Sequence, residues 1–339
     1  RNADKVILEL NQDLPDKLNG MHDIYTAGDT WVPIKCTSDR IGTSYIPCGA
    51  DKIAAIVLTE DTGECPTFKD PDDMSLALSE NIVHFLKGEV AAGRQPKNLR
   101  PIQSGVGSVA NAVLNGLQKD FFGLNMYTEV MQDSAFNLVG SGVITAASTT
   151  ALSLSSQAQR ELYGNIDFYK ERIVIRSQEI SNNPEVVRRL QLISMNTPIE
   201  VDIYGNVNST HVMGTKIMNG IGGSGDFARN AGLTIFSTGS LAKDGKISCI
   251  VPMVSHVDHT EHDVDVIVTE YGVADLRWKT PRERAEFIIE NCAHPNYRPM
   301  LREYFKEACA TVGGQTPHEL SKALSWHVRY METGTMMVK

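Results

Sequence analysis

Apolar positions along this chain switch between two spacings, and the switching sets the architecture. Residues 6–10 and 53–58 are short apolar runs of strand length, separated by turn-rich pieces such as Pro47-Cys48-Gly49-Ala50-Asp51. A polar stretch rich in Pro and Asp follows over 60–73. Leu76, Ile82, Val83, Phe85 and Leu86 can then share one side, which predicts an amphipathic helix over 74–87. The segment 91–100 reads as an exposed connector. From Pro101 onward a strand–loop–helix unit repeats. Ile102-Gln103-Ser104 leads through Gly105-Val106-Gly107 into a helix over 108–117, and 126–129 reads as the end of a short strand. Further strands are predicted at 173–176, 234–237, 247–251 and 264–269. Helices are predicted at 184–192, ending near Asn196-Thr197-Pro198, and at 281–291, with Pro281 in its first turn. Alternating strands and helices predict an α/β fold with a largely parallel sheet.

Composition narrows the function classes. The chain has 339 residues, 42% hydrophobic and 22% charged, which fits two globular units of ordinary size. Its apolar runs are far shorter than a membrane span. A net charge of −9 without a basic block argues against a nucleic-acid surface, though local amides or one Lys can still hold an anionic ligand. The six cysteines are scattered with no C-x-x-C pair, a pattern of thiols in a reducing compartment rather than a disulfide framework or zinc site. Arg1 is not an initiator Met and no signal-peptide pattern follows. The expectation is therefore a chain that begins partway through a longer protein.

Five constellations can carry chemistry. Gly105-Val106-Gly107-Ser108-Val109-Ala110 sits between a strand and a helix, where its backbone can approach a ligand or simply turn tightly. Glu129, in Tyr127-Thr128-Glu129-Val130-Met131-Gln132-Asp133, ends a strand-like run, where α/β sheets place ligand sites; it can be a nucleophile, a base or a capping residue. Gly220-Ile221-Gly222-Gly223-Ser224-Gly225 has more glycine than one turn needs, and can aim several amides into one concavity. His256-Val257-Asp258-His259-Thr260-Glu261-His262-Asp263 invites a metal, but its spacing matches no zinc motif, so a polar loop and no metal are expected. Glu270 also closes a strand-like run. Ser79-Glu80-Asn81 lies on the predicted amphipathic helix and is set aside.

The ordered set of these motifs resembles the acetyl-CoA hydrolase/transferase family, in particular its succinyl-CoA:acetate and butyryl-CoA:acetate class I CoA-transferases. The resemblance covers nearly the whole chain, from Ile46-Pro47 to about Phe305. Its most specific parts are Glu179-Ile180-Ser181-Asn182-Asn183-Pro184-Glu185-Val186 and Asp202-Ile203-Tyr204-Gly205-Asn206-Val207-Asn208-Ser209-Thr210, then the glycine-rich loop, then Ser255-His256-Val257-Asp258-His259. The resemblance implies tandem α/β CoA-transferase domains of the NagB/RpiA-like open-sheet kind. Residues 1–95 would be the carboxyl-terminal part of an incomplete first domain plus a connector, and 96–339 the second domain, carrying the nucleophile. It implies Glu129 as nucleophile, Glu270 as a second carboxylate, and Val106 and Gly223 as oxyanion donors. It also implies CoA contacts from Gly105, Val106, Gly107, Ser108, Val109, Asn182, Asn219, Gly223 and Lys243. Trp278 departs from the pattern, which has Gly there.

The expected activity is movement of CoA between a short-chain acyl-CoA and a carboxylate such as acetate, through a glutamyl-CoA thioester. CoA enters as substrate and no metal is needed. An acetyl-CoA hydrolase using the same glutamate is the nearest alternative. A dinucleotide-binding oxidoreductase is the alternative from another class, since Gly105-x-Gly107-x-x-Ala110 fits its turn and Glu129 stands near the position of a ribose-binding acid. A homodimer is expected by analogy, in the cytoplasm or in a mitochondrion-like organelle.

Overall fold

The computed structural model describes residues 2–28, 31–60 and 71–338, so ten residues of the polar 60–73 stretch lie outside the described residues. Its centre is a nine-stranded sheet. In chain order the strands are β1 His22–Asp23, β2 Ile102–Ser104, β3 Leu124–Tyr127, β4 Ile144–Thr149, β5 Ile173–Arg176, β6 Ile193–Asn196, β7 Leu233–Ser237, β8 Val266–Thr269 and β9 Gly272–Asp275. Across the sheet they run β1-β5-β4-β3-β2-β6-β7-β8-β9. Every neighbouring pair is parallel except β8 with β9, which closes one edge antiparallel. Strands β6, β7 and β8 are buried at every position, as a parallel sheet covered on both faces requires.

The chain moves outward from β2 to β5, then returns to the far side of β2 and moves outward again from β6. The order therefore reverses between β2 and β6, which leaves a crevice at the carboxyl ends of those two strands. Helices α1 (Asp73–Ala91) and α2 (Ser108–Leu117) pack together over one face, with Leu78, Ile82 and Leu86 of α1 meeting Val113 and Leu117 in the same core. Helix α1 starts at Asp72, whose carboxylate accepts the Ser75 amide at 2.8 Å. The opposite face is covered by the helices Pro281–Cys292 and Arg298–Thr311, with Ile288, Ile289 and Leu301 on Phe236 and Ile267.

Several sequence expectations are corrected. Leu78, not Leu76, faces the core; Leu76 is largely exposed because it falls on the outer side of the helical wheel. The strand over 126–129 ends at Tyr127, leaving Glu129 beyond it. The run 247–251 is two strands, Ile247–Ser248 and Ile250–Val251, that pair with different partners on either side of Cys249. The helix from Pro184 stops at Leu190, where Gln191 takes the left-handed conformation and lets β6 begin. Within the 91–100 connector Leu99 is buried. Trp278 is 99% exposed at φ 61°, a conformation that glycine adopts without strain, which accounts for the glycine expected there.

One unit stands apart from the large sheet. Val6–Asn11 and Ile53–Thr59 pair in parallel as a separate two-stranded sheet. Ile7, Leu10, Ile56 and Leu58 on it are all more than half exposed, although parallel strands of this composition ordinarily lie between covering layers.

Candidate active site

A cavity of about 600 Å³ opens in the crevice between β2 and β6. Its floor is Gln103, Ser104 and Asn196 from the ends of those strands, and its walls are Gly105-Val106, Glu129-Val130 and the 218–224 loop. The floor is tied by amides. Gln103 Oε1 accepts from Ser194 Oγ at 2.7 Å and Asn196 Nδ2 at 3.1 Å, while Gln103 Nε2 donates to Asn196 Oδ1 at 3.2 Å.

Glu129 stands two residues past β3, and its backbone is fixed from the next strand. The amides of Thr150 and Ala151 and the Thr149 hydroxyl all donate to the Glu129 carbonyl, at 2.9, 3.1 and 2.9 Å. Thr128 Oγ1 donates to the Ser104 carbonyl at 3.1 Å, locking this turn to β2. The carboxylate is thereby directed across the crevice, where the Gly223 amide donates to Glu129 Oε2 at 2.8 Å. Gly223 precedes the short helix Ser224–Asn230, with Gly222 at φ 55° giving the turn that aims the amide. A Cβ on Gly223 would lie 2.2 Å from Glu129 Oε2 and 2.4 Å from Asn182 Nδ2. A side chain at 223 would therefore push both the Glu129 carboxylate and the Asn182 carboxamide from these positions.

Of the residues anticipated from sequence, Glu129, Gly105, Val106, Asn219 and Gly223 line this one cavity. Asn182 lies directly behind Gly223, buried, with neither carboxamide atom hydrogen-bonded among the described residues. Gly107, at φ 109°, donates its amide to Gln132 Oε1 at 3.2 Å, and Ser108 and Val109 continue into α2 beyond the cavity wall. Lys243 is exposed on the turn between Leu241–Ala242 and Ile247–Ser248, away from the cavity lining. Glu270 follows β8, but its carboxylate is turned to Ser240, accepting the amide at 2.8 Å and the hydroxyl at 2.5 Å. Asn81 of the discounted Ser79-Glu80-Asn81 motif donates to the Thr269 carbonyl at 2.9 Å, beneath Glu270.

The His256–Asp263 segment bonds within the protein. Asp258 accepts the Ser209 amide at 2.7 Å and the Thr210 hydroxyl at 2.8 and 2.9 Å, and the His256 and His211 rings stack 3.8 Å apart. Among the described residues no group of three His, Cys, Asp or Glu is arranged to hold a metal, and no helix is long and apolar enough to cross a membrane. Gln103 and Asn196 were not singled out as site residues from sequence, and Ser224 only as part of the glycine-rich run.

Fold and site together define an open α/β sheet with a carboxylate and a glycine-loop amide facing each other at the switch point. The solved structure of a 4-hydroxybutyrate CoA-transferase from Porphyromonas gingivalis superposes with a TM-score of 0.62, covering 90% of this chain and 66% of that one at 23% identity. RipA from Yersinia pestis superposes with a TM-score of 0.62 at 26% identity, over 76% of this chain and 57% of that one. The model of the acetyl-CoA hydrolase/transferase C-terminal domain matches residues 158–305. Over 99% of its length the chain is 58% identical to a succinyl-CoA:acetate CoA-transferase of Clostridium kluyveri and 46% identical to a propanoyl-CoA:succinate CoA transferase of Escherichia coli. Over the same share it is 45% identical to an acetyl-CoA hydrolase of Schizosaccharomyces pombe. The chain belongs to the acetyl-CoA hydrolase/transferase family. It spans 63%, 69% and 67% of the lengths of those three relatives, respectively. Membership assigns the Gly105–Ala110 turn to this family's fold and removes the dinucleotide reading.

Proposed function

We propose that the protein is an acyl-CoA:carboxylate CoA-transferase that works through a covalent thioester on Glu129. The 2.8 Å hydrogen bond from the Gly223 amide to Glu129 Oε2 carries this reading. Glu129 attacks the acyl-CoA carbonyl through its free oxygen, giving a mixed anhydride and CoA thiolate. The thiolate then attacks the Glu129 carboxyl carbon, forming glutamyl-CoA and releasing the first carboxylate. An acceptor carboxylate runs the two steps in reverse. When the Glu129 carbon becomes tetrahedral, the oxygen already held by Gly223 takes the negative charge, so the donor needs no reorientation. Val106 supplies a second donor from the opposite wall. The unpartnered carboxamide of Asn182 supports a CoA contact there, since buried polar groups are normally paired. Gly105, Gly107, Ser108, Val109, Asn219 and Lys243 complete the CoA-contact set of this reading.

Acetyl-CoA hydrolysis at the same site is the second reading, favoured by relatives of both names. Water, unlike a carboxylate, needs a base, and Glu270 has that role only after its carboxylate leaves Ser240. The ligand-free geometry thus favours transfer. Residues 1–95 and 96–339 form the two units of a tandem NagB/RpiA-like arrangement, in which helix α1 and residues 21–28 and 31–34, with β1 at the edge of the large sheet, are the parts of the first unit built onto the second. The exposed apolar parallel pair supports this division. The protein works as a homodimer, in the cytoplasm or a mitochondrion-like organelle.

The test is turnover of acetyl-CoA with and without succinate as acceptor, followed by borohydride reduction and intact mass. A loss of about 14 mass units at Glu129 with acceptor-dependent turnover is expected. An active enzyme whose Glu129 is unmodified overturns the covalent reading.

A further inference from the structure

The His256–His259 segment, set aside above as a polar loop, reaches the site from beneath. Ser224 lines the cavity one residue past Gly223, and its hydroxyl donates to the Ile221 carbonyl at 2.8 Å, closing a turn over Gly222 and Gly223. Its oxygen also lies 3.3 Å from His259 Nε2. Because the hydroxyl proton is committed to Ile221, the imidazole is the donor in this contact. His259 is 1% exposed, with its ring 4.8 Å from that of Phe236 and its backbone paired with Val207 in both directions. Burial holds its pKa below the usual histidine range, so the ring is neutral at pH 7.

The neighbouring residue grips the other end of the same loop. Asp258 holds the amide and hydroxyl of Ser209 and the hydroxyl of Thr210. Ser209 and Thr210 in turn accept, through their carbonyls, Asn219 Nδ2 at 2.9 Å and the Met218 amide at 2.8 Å. Two consecutive side chains therefore clamp both ends of a glycine-rich loop that has few side chains of its own to hold it.

We propose that Asp258 and His259 are positioning residues that brace the 218–224 loop, with the His259–Ser224 contact fixing the direction of the Gly223 amide toward Glu129. The inference rests on the proposed role of Gly223 as oxyanion donor. A loop with Gly at 220, 222, 223 and 225 has many backbone states, and each rotation of the Gly223 peptide removes its donor from Glu129. The brace selects one state before substrate arrives, which is where preorganised donors gain their effect.

The test uses the full-length enzyme and the variants Ser224→Ala, His259→Phe, His259→Gln and Ser224→Ala/His259→Phe. Gln places an amide nitrogen near the position of Nε2 and keeps the donor. Ser224→Ala and His259→Phe are each expected to lower kcat about tenfold with KM for acyl-CoA within about twofold. The double variant is expected to be no worse than the weaker single, and His259→Gln to stay within about threefold of wild type. Hydrogen exchange of the peptide covering 220–227, measured without substrate, is expected to speed up about tenfold in Ser224→Ala and His259→Phe only. Ser224 is half-buried, so its alanine variant keeps the test valid if His259→Phe fails to fold. Wild-type kcat and exchange in Ser224→Ala, or His259→Gln as impaired as His259→Phe, overturns the brace. If wild type gives no borohydride adduct, the thioester reading falls, while the exchange measurement still decides whether the brace exists.

Discussion

At Gly223 the protein has no room for a single added carbon, because two polar atoms of different elements already lie within 2.4 Å of where that carbon would be. Gly223→Ala must displace both the Glu129 carboxylate and the Asn182 amide. The expected result is a fall in kcat of about a hundredfold or more at nearly unchanged thermal stability, measured by acceptor-dependent turnover and a melting curve. Glu129→Gln keeps the shape but removes the nucleophilic oxygen. It is expected to lose at least about a thousandfold in turnover and all borohydride-trapped mass, while still binding CoA, as checked by calorimetry. Both residues were legible in the sequence, one from a carboxylate closing a strand-like run and one from glycine density. Their contact was not. A hydrogen bond joining positions 94 residues apart leaves no trace in local spacing.

Helix α1 shows how an element is held by charge as well as by its apolar stripe. Glu89 near its end is almost fully buried and accepts both arms of Arg277, at 2.8 and 2.9 Å, with Arg94 also bonded at 2.6 Å. The Arg277 guanidinium, assisted by Arg94, holds the Glu89 carboxyl down at about 2 despite its burial. A depressed folded-state value contributes stability that is complete above the ordinary value near 4.5 and is lost as pH falls toward 2. Glu89→Gln is therefore expected to flatten that acid limb in urea unfolding followed between pH 5 and 2. Arg277→Ala leaves the carboxylate with Arg94 alone, and about 2–3 kcal/mol of stability should be lost at pH 7. The helix and most of its buried stripe were readable from periodicity, since Ile82, Val83 and Leu86 are buried as expected, with Leu76 placed there instead of Leu78. Strands β4, β6 and β9 were missed for a different reason. Ile144-Thr145-Ala146-Ala147-Ser148-Thr149, Ile193-Ser194-Met195-Asn196 and Gly272-Val273-Ala274-Asp275 place polar or small residues where a sequence pattern seeks apolar ones, and only their pairing in the assembled sheet reveals them.

Across the whole molecule, the overall α/β class followed from the alternation of elements, whereas the strand order required knowing which strands are neighbours. The apolar pair Val6–Asn11 and Ile53–Thr59 exposes Ile7, Leu10, Ile56 and Leu58 together. The 339-residue chain is expected to bind a hydrophobic dye and to self-associate through that face. Leu10→Lys with Ile56→Lys should reduce both, read by fluorescence and light scattering, with melting of the large sheet unchanged.

The contact between Glu129 and Gly223 also has a meaning for the chain as it is made. Glu129, the nucleophile proposed above, leaves the ribosome before Gly223, its proposed charge-stabilising donor, and the 94 residues from Val130 through Gly223 take roughly 5–19 s to add at bacterial to eukaryotic rates. During that interval the carboxylate is present but the amide that steadies its reaction is not yet synthesised. On the proposed mechanism a nascent chain is therefore silent toward acyl-CoA until Gly223 has been made and the crevice has closed around Glu129.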